Sequence, residues 1–149
     1  LCQPAGQEAR QSLEEARQHP ALKRASGVGA LMAGFAASPV TGGAEPIRVP
    51  SGADVTFQEM LTDTEGPEGL TFRFRFVARS IGEQGMEQDM CALCEGFALP
   101  RLSRVGQLPA QVVISVADRA IAFGDADPGV VQFFEAYRIE NGHCIWEAF

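Results

Sequence analysis

The stretch LTFRFRFVA, near the middle of the chain, alternates strictly between apolar and basic side chains. Phe72, Phe74 and Phe76 occupy every second position, and Arg73 and Arg75 stand between them. A period of two sends successive side chains to opposite faces of a β-strand, whereas a helix would scatter these phenylalanines around its axis. The stretch therefore predicts a half-buried strand, with its phenylalanines on a core and its arginines in solvent.

A helical period follows in the stretch EQGMEQDMCALCEGFALP. Four apolar side chains share one stripe at 100° per residue: Met86, Met90, Leu93 and Phe97. Cys94 lies at the edge of this stripe, and Cys91 lies outside it. Pro100 is expected to end the helix. The pattern predicts one main helix that buries Cys94 and exposes Cys91.

Shorter patterns predict the surrounding elements. Thr56 and Glu59, in TFQEML, have the spacing of a capping box, which predicts one or two helical turns. IRVP is interpreted as a short extended piece, and QVVISVA and RAIAFG as two further strands. Residues 45–149 therefore predict a single α+β domain, built on an antiparallel sheet of about four to five strands with the main helix on one face.

The C-terminal stretch VVQFFEAYRIENGHCIWEAF fits two structures. Asp127 and Pro128 could begin a helix lined by Val130, Phe133, Phe134 and Tyr137. Asn141 and Gly142, however, suit the two-residue type I′ turn of a β-hairpin, and we favour the hairpin. Its register places Ile139 opposite Cys144 and Tyr137 opposite Trp146. These four residues share one face of the sheet with Phe133.

The N-terminal third of the chain has the pattern of an exported protein. Residues 1–21 are polar and are interpreted as a non-native or disordered extension that packs on nothing. Residues 22–44 resemble a signal peptide, because Lys23 and Arg24 precede a short apolar run and Gly42 and Ala44 fit a cleavage site. The run is too short and too rich in glycine to span a bilayer. We expect a periplasmic or secreted protein that begins near Glu45.

If the helix packs across the sheet, the sulfurs of Cys94 and Cys144 can meet. After export, a disulfide between them would close about fifty residues and stabilise the fold by about 3–4 kcal/mol, and it would leave Cys91 free. Cys91 and Cys94 also form a C-x-x-C motif, which suggests a thiol-disulfide redox protein, although the pair lies inside the helix and not at its N-terminus. His143 could join Cys91, Cys94 and Cys144 as a zinc ligand, but adjacent strand residues point to opposite faces.

Other candidate sites have simpler explanations. Asp118, Asp125 and Asp127 suggest calcium, but the loop lacks the ligand spacing of an EF-hand, and aspartates are common in turns. Glu135 and Glu147 lie among aromatic residues and could form a perturbed carboxylate pair, although a salt bridge with a nearby arginine is the commoner arrangement.

The charge of the chain and its motifs narrow the function classes. The formal net charge of −7 disfavours nucleic acid as a partner, because a polyanion would be repelled. No motif of a hydrolase is present in the sequence. The sequence predicts a non-catalytic accessory or binding protein that needs no cofactor and recognises a protein or a small ligand. The alternative is the redox protein that uses Cys91 and Cys94.

Four stretches carry a family resemblance: GLTFRFRFVA, ALCEGFALPRL, QVVISVADRAIAFG and QFFEAYRIENGHCIWEAF. They resemble DUF6497, small exported alphaproteobacterial proteins with no assigned function. The resemblance runs from about Ile47 to the C-terminus. It implies that the two cysteines of the family are Cys94 and Cys144 and that Cys91 is an addition. It implies no activity and no catalytic residues.

Overall fold

The computed structural model describes Cys2 and residues 45–148 of the 149-residue chain. In that part, six strands form one sheet whose order follows the chain. They are β1 (Ile47–Arg48), β2 (Asp54–Gly66), β3 (Gly69–Ala78), β4 (Gln111–Ala117), β5 (Gln132–Glu140) and β6 (His143–Glu147). A helical segment connects β3 to β4 and consists of α1 (Met86–Leu93), a π-helical turn (Cys94–Ala98) and α2 (Leu99–Val105).

The predicted antiparallel sheet of four to five strands is wrong, because the sheet is mixed and has six strands in the described part. Strands β3 and β4 are parallel neighbours, and every other neighbouring pair is antiparallel. Parallel neighbours require a crossover that carries the chain from one end of the sheet back to the other. The helical segment between β3 and β4 provides this crossover.

The helical turns predicted for TFQEML are also wrong, because these residues belong to β2. Phe57 pairs with Phe76 of β3, and Met60 pairs with Phe74. The register shifts between Phe57 and Glu59, so one extra residue interrupts the strand. A bulge of this kind hides the period of two that identifies a strand in sequence.

The stretch RAIAFG is not a strand but part of the loop between β4 and β5. The side chains of Gln58 and Arg75 both donate hydrogen bonds to the carbonyl oxygen of Ile121, at 2.8 and 2.9 Å. At the base of the loop, the backbone N–H of Asp118 donates to the carbonyl of Val131 at 3.0 Å. The loop is therefore attached to the sheet by side-chain donors and not by strand pairing.

The phenylalanines of β3 lie in the core, as the alternation predicts. Phe72, Phe74 and Phe76 are each at most 1% exposed, and they face the helical segment together with the inner side chains of β4. The alternation also predicts that the arginines lie in solvent, which is wrong for Arg75. This residue is only 5% exposed and forms a salt bridge with Glu59. The second face of the sheet is thus partly covered as well.

The stripe predicted for the helix is present, but the helix does not end at Pro100. Met86, Met90, Leu93 and Cys94 are buried, as the stripe predicts. The chain continues through the π-helical turn into α2, and Pro100 lies in the first turn of α2. The wider turn places Phe97 against Phe57 and Phe76, with ring centroids 4.8 and 5.2 Å apart.

Strands β5 and β6 form the hairpin that Asn141 and Gly142 predict, and not the alternative helix. Both turn residues have positive φ, 50° and 78°, as a type I′ turn requires. In this register Ile139 lies opposite Cys144, and Tyr137 lies opposite Trp146. Tyr137 and Cys144 are fully buried, whereas Trp146 remains 39% exposed at the edge of the face that the helix covers.

A candidate binding cleft between the helix and the hairpin

A cleft of about 470 Å³ lies between α1 and the β5–β6 hairpin. Five side chains define what we call the acidic–aromatic cleft: Glu87, Glu95, Glu135, Tyr137 and Trp146. The carboxylates come from the helical segment and from β5, and the aromatic rings come from adjacent positions of β5 and β6. Cys2 and Cys91, which are joined by a disulfide, also line this cleft.

Cys94 and Cys144 are joined by a disulfide, the pair that the helix phase and the hairpin register predict. Their Cα atoms are 6.3 Å apart, and both side chains are fully buried. The bond links the start of the π-helical turn to β6. It therefore fixes the separation of the two elements that form the walls of the cleft.

The expectation that Cys91 is free is wrong, because Cys91 forms a second disulfide with Cys2. Cys2 packs against the hydrophobic core, so the expectation that the N-terminal extension packs on nothing fails at this residue. Sequence reasoning missed the bond because Cys2 was assigned to a segment outside the domain. The other residues of the predicted extension, and the predicted signal peptide at 22–44, lie outside the described residues.

The disulfides bear on the two alternative sites that use Cys91 and Cys94. The two sulfurs are not bonded to each other, since each has a different partner. A zinc site with Cys91, Cys94 and Cys144 needs thiolates, which oxidised sulfurs do not supply. Among Cys2 and residues 45–148, no group of three or more His, Cys, Asp or Glu side chains is arranged to hold a metal ion.

Glu95 connects the helical segment to the start of β6. Its carboxylate accepts a hydrogen bond from the backbone N–H of Cys144 at 2.8 Å. The other carboxylate oxygen lies 3.7 Å from Nδ1 of His143, which is about half exposed. His143 therefore lies beside an acidic group at the surface, and Glu95 supports the disulfide-bonded corner of the cleft.

Glu135 and Tyr137 form the polar centre of the cleft. The Tyr137 hydroxyl donates a short hydrogen bond to the Glu135 carboxylate. Burial raises the pKa of Glu135 above its ordinary value of 4.5; the hydrogen bond from Tyr137 opposes this shift, and the nearby charge of Glu87 adds to it. The pKa of Tyr137 is also raised, first by burial and then by its bond to Glu135. The cleft thus holds a carboxylate that is poorly stabilised by water.

Glu147 does not join Glu135 in a carboxylate pair, because it lies on the opposite face of the sheet. Its carboxylate forms a salt bridge with Arg138 at 3.1 Å and accepts a hydrogen bond from Gln111 at 3.2 Å. The salt bridge with an arginine is the commoner arrangement that the sequence suggested. Glu135 is therefore the member of the pair that lines the cleft.

Of the three aspartates considered for calcium, two form contacts within the loop and the third is exposed near its tip. Arg119 forms a salt bridge with Asp118 at 3.2 Å, and the hydrogen bond within this pair lowers the pKa of Asp118. Asp127 accepts a hydrogen bond from the backbone N–H of Gly129 at 2.8 Å, which is typical of a turn. Asp125 lies exposed near the tip of the same loop and lines a smaller cavity on the other face of the sheet.

Two buried charged groups in the described part of the chain were missed by sequence reasoning. Asp89 is only 3% exposed and accepts hydrogen bonds from both the backbone N–H and the hydroxyl of Ser51. Its position next to the apolar stripe of the helix was a possible signal, although it did not identify the partner. Arg75 was taken as a solvent residue, since the alternation of β3 says nothing about whether a loop covers its second face.

Two properties bear on the compartment and the membrane. The two disulfides are compatible with an extracellular protein, because such bonds persist in oxidising surroundings. Among the described residues, no helix has the length and the apolar character needed to cross a bilayer.

Comparison with known proteins supports a family assignment. No curated protein and no solved structure matches the chain significantly. The model of a family of unknown function, DUF6497, matches residues 29–149, which include every strand and helix described above and both cysteines of the Cys94–Cys144 bond. The chain belongs to this family of unknown function, DUF6497.

Proposed function

We propose that this protein is an exported, non-catalytic binding protein and that the acidic–aromatic cleft accepts a cationic ligand. The ligand class is an organic amine or quaternary ammonium, either free or carried by the basic side chain of a partner protein. The cleft has the volume of a small-molecule site. Its combination of carboxylates with the exposed tryptophan ring is the chemistry that recognises such cations.

The observation that carries the proposal is the environment of Glu135. Its carboxylate is half-buried, and burial raises its pKa, so that the charged form lacks stabilisation by water. A cation in the cleft would supply the missing opposite charge at a site where water screens it poorly. Trp146 lies opposite Tyr137 in the hairpin and offers an exposed ring to the same ligand.

Export is part of this proposal and is supported by two observations. The apolar run at residues 22–44 has the organisation of a signal peptide. The disulfides of the domain are of the kind that form after transport to an oxidising compartment. Periplasmic location or secretion then follows. Mass spectrometry of protein from the native host should find material that begins near Glu45, and an intact leader in the cytoplasm would contradict export. Such cleavage removes Cys2, so that in the mature domain Cys91 no longer has this disulfide partner.

Trp146 is the single tryptophan of the chain, so its fluorescence reports ligand binding in the cleft. Benzyltrimethylammonium should change this fluorescence in a saturable manner, whereas the neutral benzyl alcohol should not. Glu135→Gln should weaken binding of the cation by about tenfold, the usual loss for a contact with a charged group. Glu147→Gln is the matched control, because Glu147 lies on the opposite face, and it should leave the affinity unchanged. Equal binding of the cation and the alcohol would contradict the proposal.

The thiol-disulfide alternative was predicted for Cys91 and Cys94, which have different disulfide partners. In a chain that retains Cys2, this alternative would instead use the Cys2–Cys91 bond, which lines the cleft at the partly exposed Cys91. In this alternative, a substrate thiolate would attack the Cys91 sulfur, and Cys2 would leave as a thiolate. The reduction of insulin by a thiol donor separates the two functions. Catalysis of this reduction that is lost in Cys91→Ser would support the redox protein, while binding of the ammonium ion that survives Cys91→Ser would support the binding protein.

A further inference from the structure

A second cavity, of about 200 Å³, lies on the other face of the sheet, beneath the loop between β4 and β5. Five side chains define what we call the arginine pocket: Arg73, Arg75, Ser115, Phe123 and Phe134. The first two come from β3, Ser115 comes from β4, Phe134 comes from β5, and Phe123 comes from the loop. This pocket shares no lining residue with the acidic–aromatic cleft.

The two arginines differ in the acceptors that their guanidinium groups find within the protein. Arg75 is buried, pairs with Glu59 and donates to the carbonyl of Ile121. Arg73 pairs with no acidic residue in the described part of the chain, and its Nε is shielded from water without a hydrogen-bond acceptor. A buried guanidinium N–H without an acceptor is unfavourable, because its desolvation is not offset by a new bond. Arg73 is thus the group in the pocket that lacks a negative partner.

The walls of the pocket are aromatic and are held in place without a ligand. The guanidinium carbons of Arg73 and Arg75 both lie 5.7 Å from the centroid of the Phe123 ring. The loop that carries Phe123 is attached through the carbonyl of Ile121, which accepts two side-chain hydrogen bonds. Because the loop is already fixed, a ligand would not have to order it, and this favours affinity.

We propose that the arginine pocket binds a small organic oxyanion, with the charged group on Arg73 and an apolar body between Phe123 and Phe134. A guanidinium suits this ligand, because its planar fork pairs with the two oxygens of a carboxylate or a phosphate. Phe134 is 53% exposed and offers its ring to such a body. An apolar cavity of about 150 Å³ is enough to hold benzene, so a single-ring acid fits the available volume.

The charges around the pocket restrict the ligand to a small anion. Asp125 is an exposed carboxylate that lines the same cavity, and it repels a ligand with several negative charges. The net charge of the whole chain, −7, acts in the same direction on nucleic acid and other polyanions. The pocket therefore takes a ligand opposite in charge to that of the acidic–aromatic cleft, and neither site depends on the other.

Titration with benzoate, benzamide and inorganic phosphate, followed by two-dimensional NMR of the backbone amides, tests this proposal. Benzoate should shift the amides of β3 and of the Phe123 loop, and benzamide, which has the same shape without the charge, should bind about tenfold more weakly. The fluorescence of Trp146 should not respond to benzoate. Phosphate binding as tight as that of benzoate would mean that the oxyanion alone is recognised. Binding of benzoate alone would mean that the apolar body is required as well.

Variants identify the group responsible. Arg73→Gln should weaken benzoate binding by about tenfold, and Arg73→Lys should retain part of the affinity, because the charge remains but the planar fork is lost. Asp125→Asn should strengthen binding roughly twofold, since it removes an exposed like charge. This opposite effect keeps the test valid if Arg73→Gln fails to fold. Equal binding of benzoate and benzamide, or benzoate binding that neither Arg73→Lys nor Asp125→Asn alters, would overturn the proposal.

Discussion

The backbone N–H of Cys144 donates a hydrogen bond to the Glu95 carboxylate at 2.8 Å. Cys144 is also joined by a disulfide to Cys94, the residue that precedes Glu95 in the chain. One turn of helix thus holds the first residues of β6 through two adjacent side chains, one covalent and one charged. Both contacts lie at the corner where the helix meets the last hairpin. The geometry of the acidic–aromatic cleft depends on this corner, because Trp146 follows Cys144 by two residues in the same strand.

Replacement of both Cys94 and Cys144 by serine should lower the free energy of unfolding by about 3–4 kcal/mol, because the bond closes a loop of about fifty residues in the unfolded chain. Denaturant unfolding measures the change. A second variant replaces Cys2 and Cys91 by serine and leaves the Cys94–Cys144 bond in place; because the Cys2–Cys91 bond closes a longer loop, the same argument predicts a loss of stability at least as large. An unaltered unfolding midpoint in the Cys94/Cys144 variant would show that this bond does not stabilise the fold.

Phe76→Ala should destabilise the protein by about 3–5 kcal/mol, because the ring is fully buried and contacts both Phe57 and Phe97. Phe134→Ala is the control on β5, and its ring is 53% exposed, so that its effect on stability should be small. Thermal and denaturant unfolding of the two variants should differ clearly. Similar losses in both would mean that the two faces of the sheet contribute equally to the core.

Gly142→Ala should destabilise the hairpin by about 1 kcal/mol, because Gly142 has φ of 78°, where a Cβ is strained although no atom blocks it. Gly96→Ala should act in the opposite direction. Gly96 lies in the π-helical turn with no neighbour within 4 Å of a new Cβ, and alanine favours helix by up to about 1 kcal/mol. Urea unfolding measures whether each variant gains or loses free energy of unfolding. A stabilising Gly142→Ala would contradict the type I′ turn.

The affinity of the cleft for a cation should fall as the pH decreases from neutrality through the raised pKa of Glu135, because the carboxylate becomes neutral at a pH above the ordinary value of 4.5. The same shift has the opposite effect on stability: a raised pKa in the folded state stabilises the fold at low pH, and this contribution is lost as the pH rises through that pKa. Titrations of benzyltrimethylammonium at several pH values measure the first effect. In Glu135→Gln this step in affinity should disappear; if it persists, another group is responsible.

Local sequence determined the elements whose pattern is complete within a few residues. The alternation of Phe72, Phe74 and Phe76 identified β3, because the period of a strand is a local property of the backbone. Asn141 and Gly142 identified the last hairpin in the same way, since few residues adopt positive φ. The hairpin register and the helix phase together placed Cys94 and Cys144 on facing surfaces. The acidic–aromatic cleft was only partly foreseen, through Glu135 and its aromatic neighbours.

Tertiary structure decided which elements became neighbours. The parallel pairing of β3 with β4, the pairing of Cys91 with Cys2 and the burial of Arg75 beneath a loop all join residues that are distant in the chain. No local period records such partners, because the free energy of burial depends on which surfaces meet and not on the order of residues within one element. The residues around the bulge at Gln58 give a local example. Their own spacing predicts a helical turn, but they form a strand because they pair with β3.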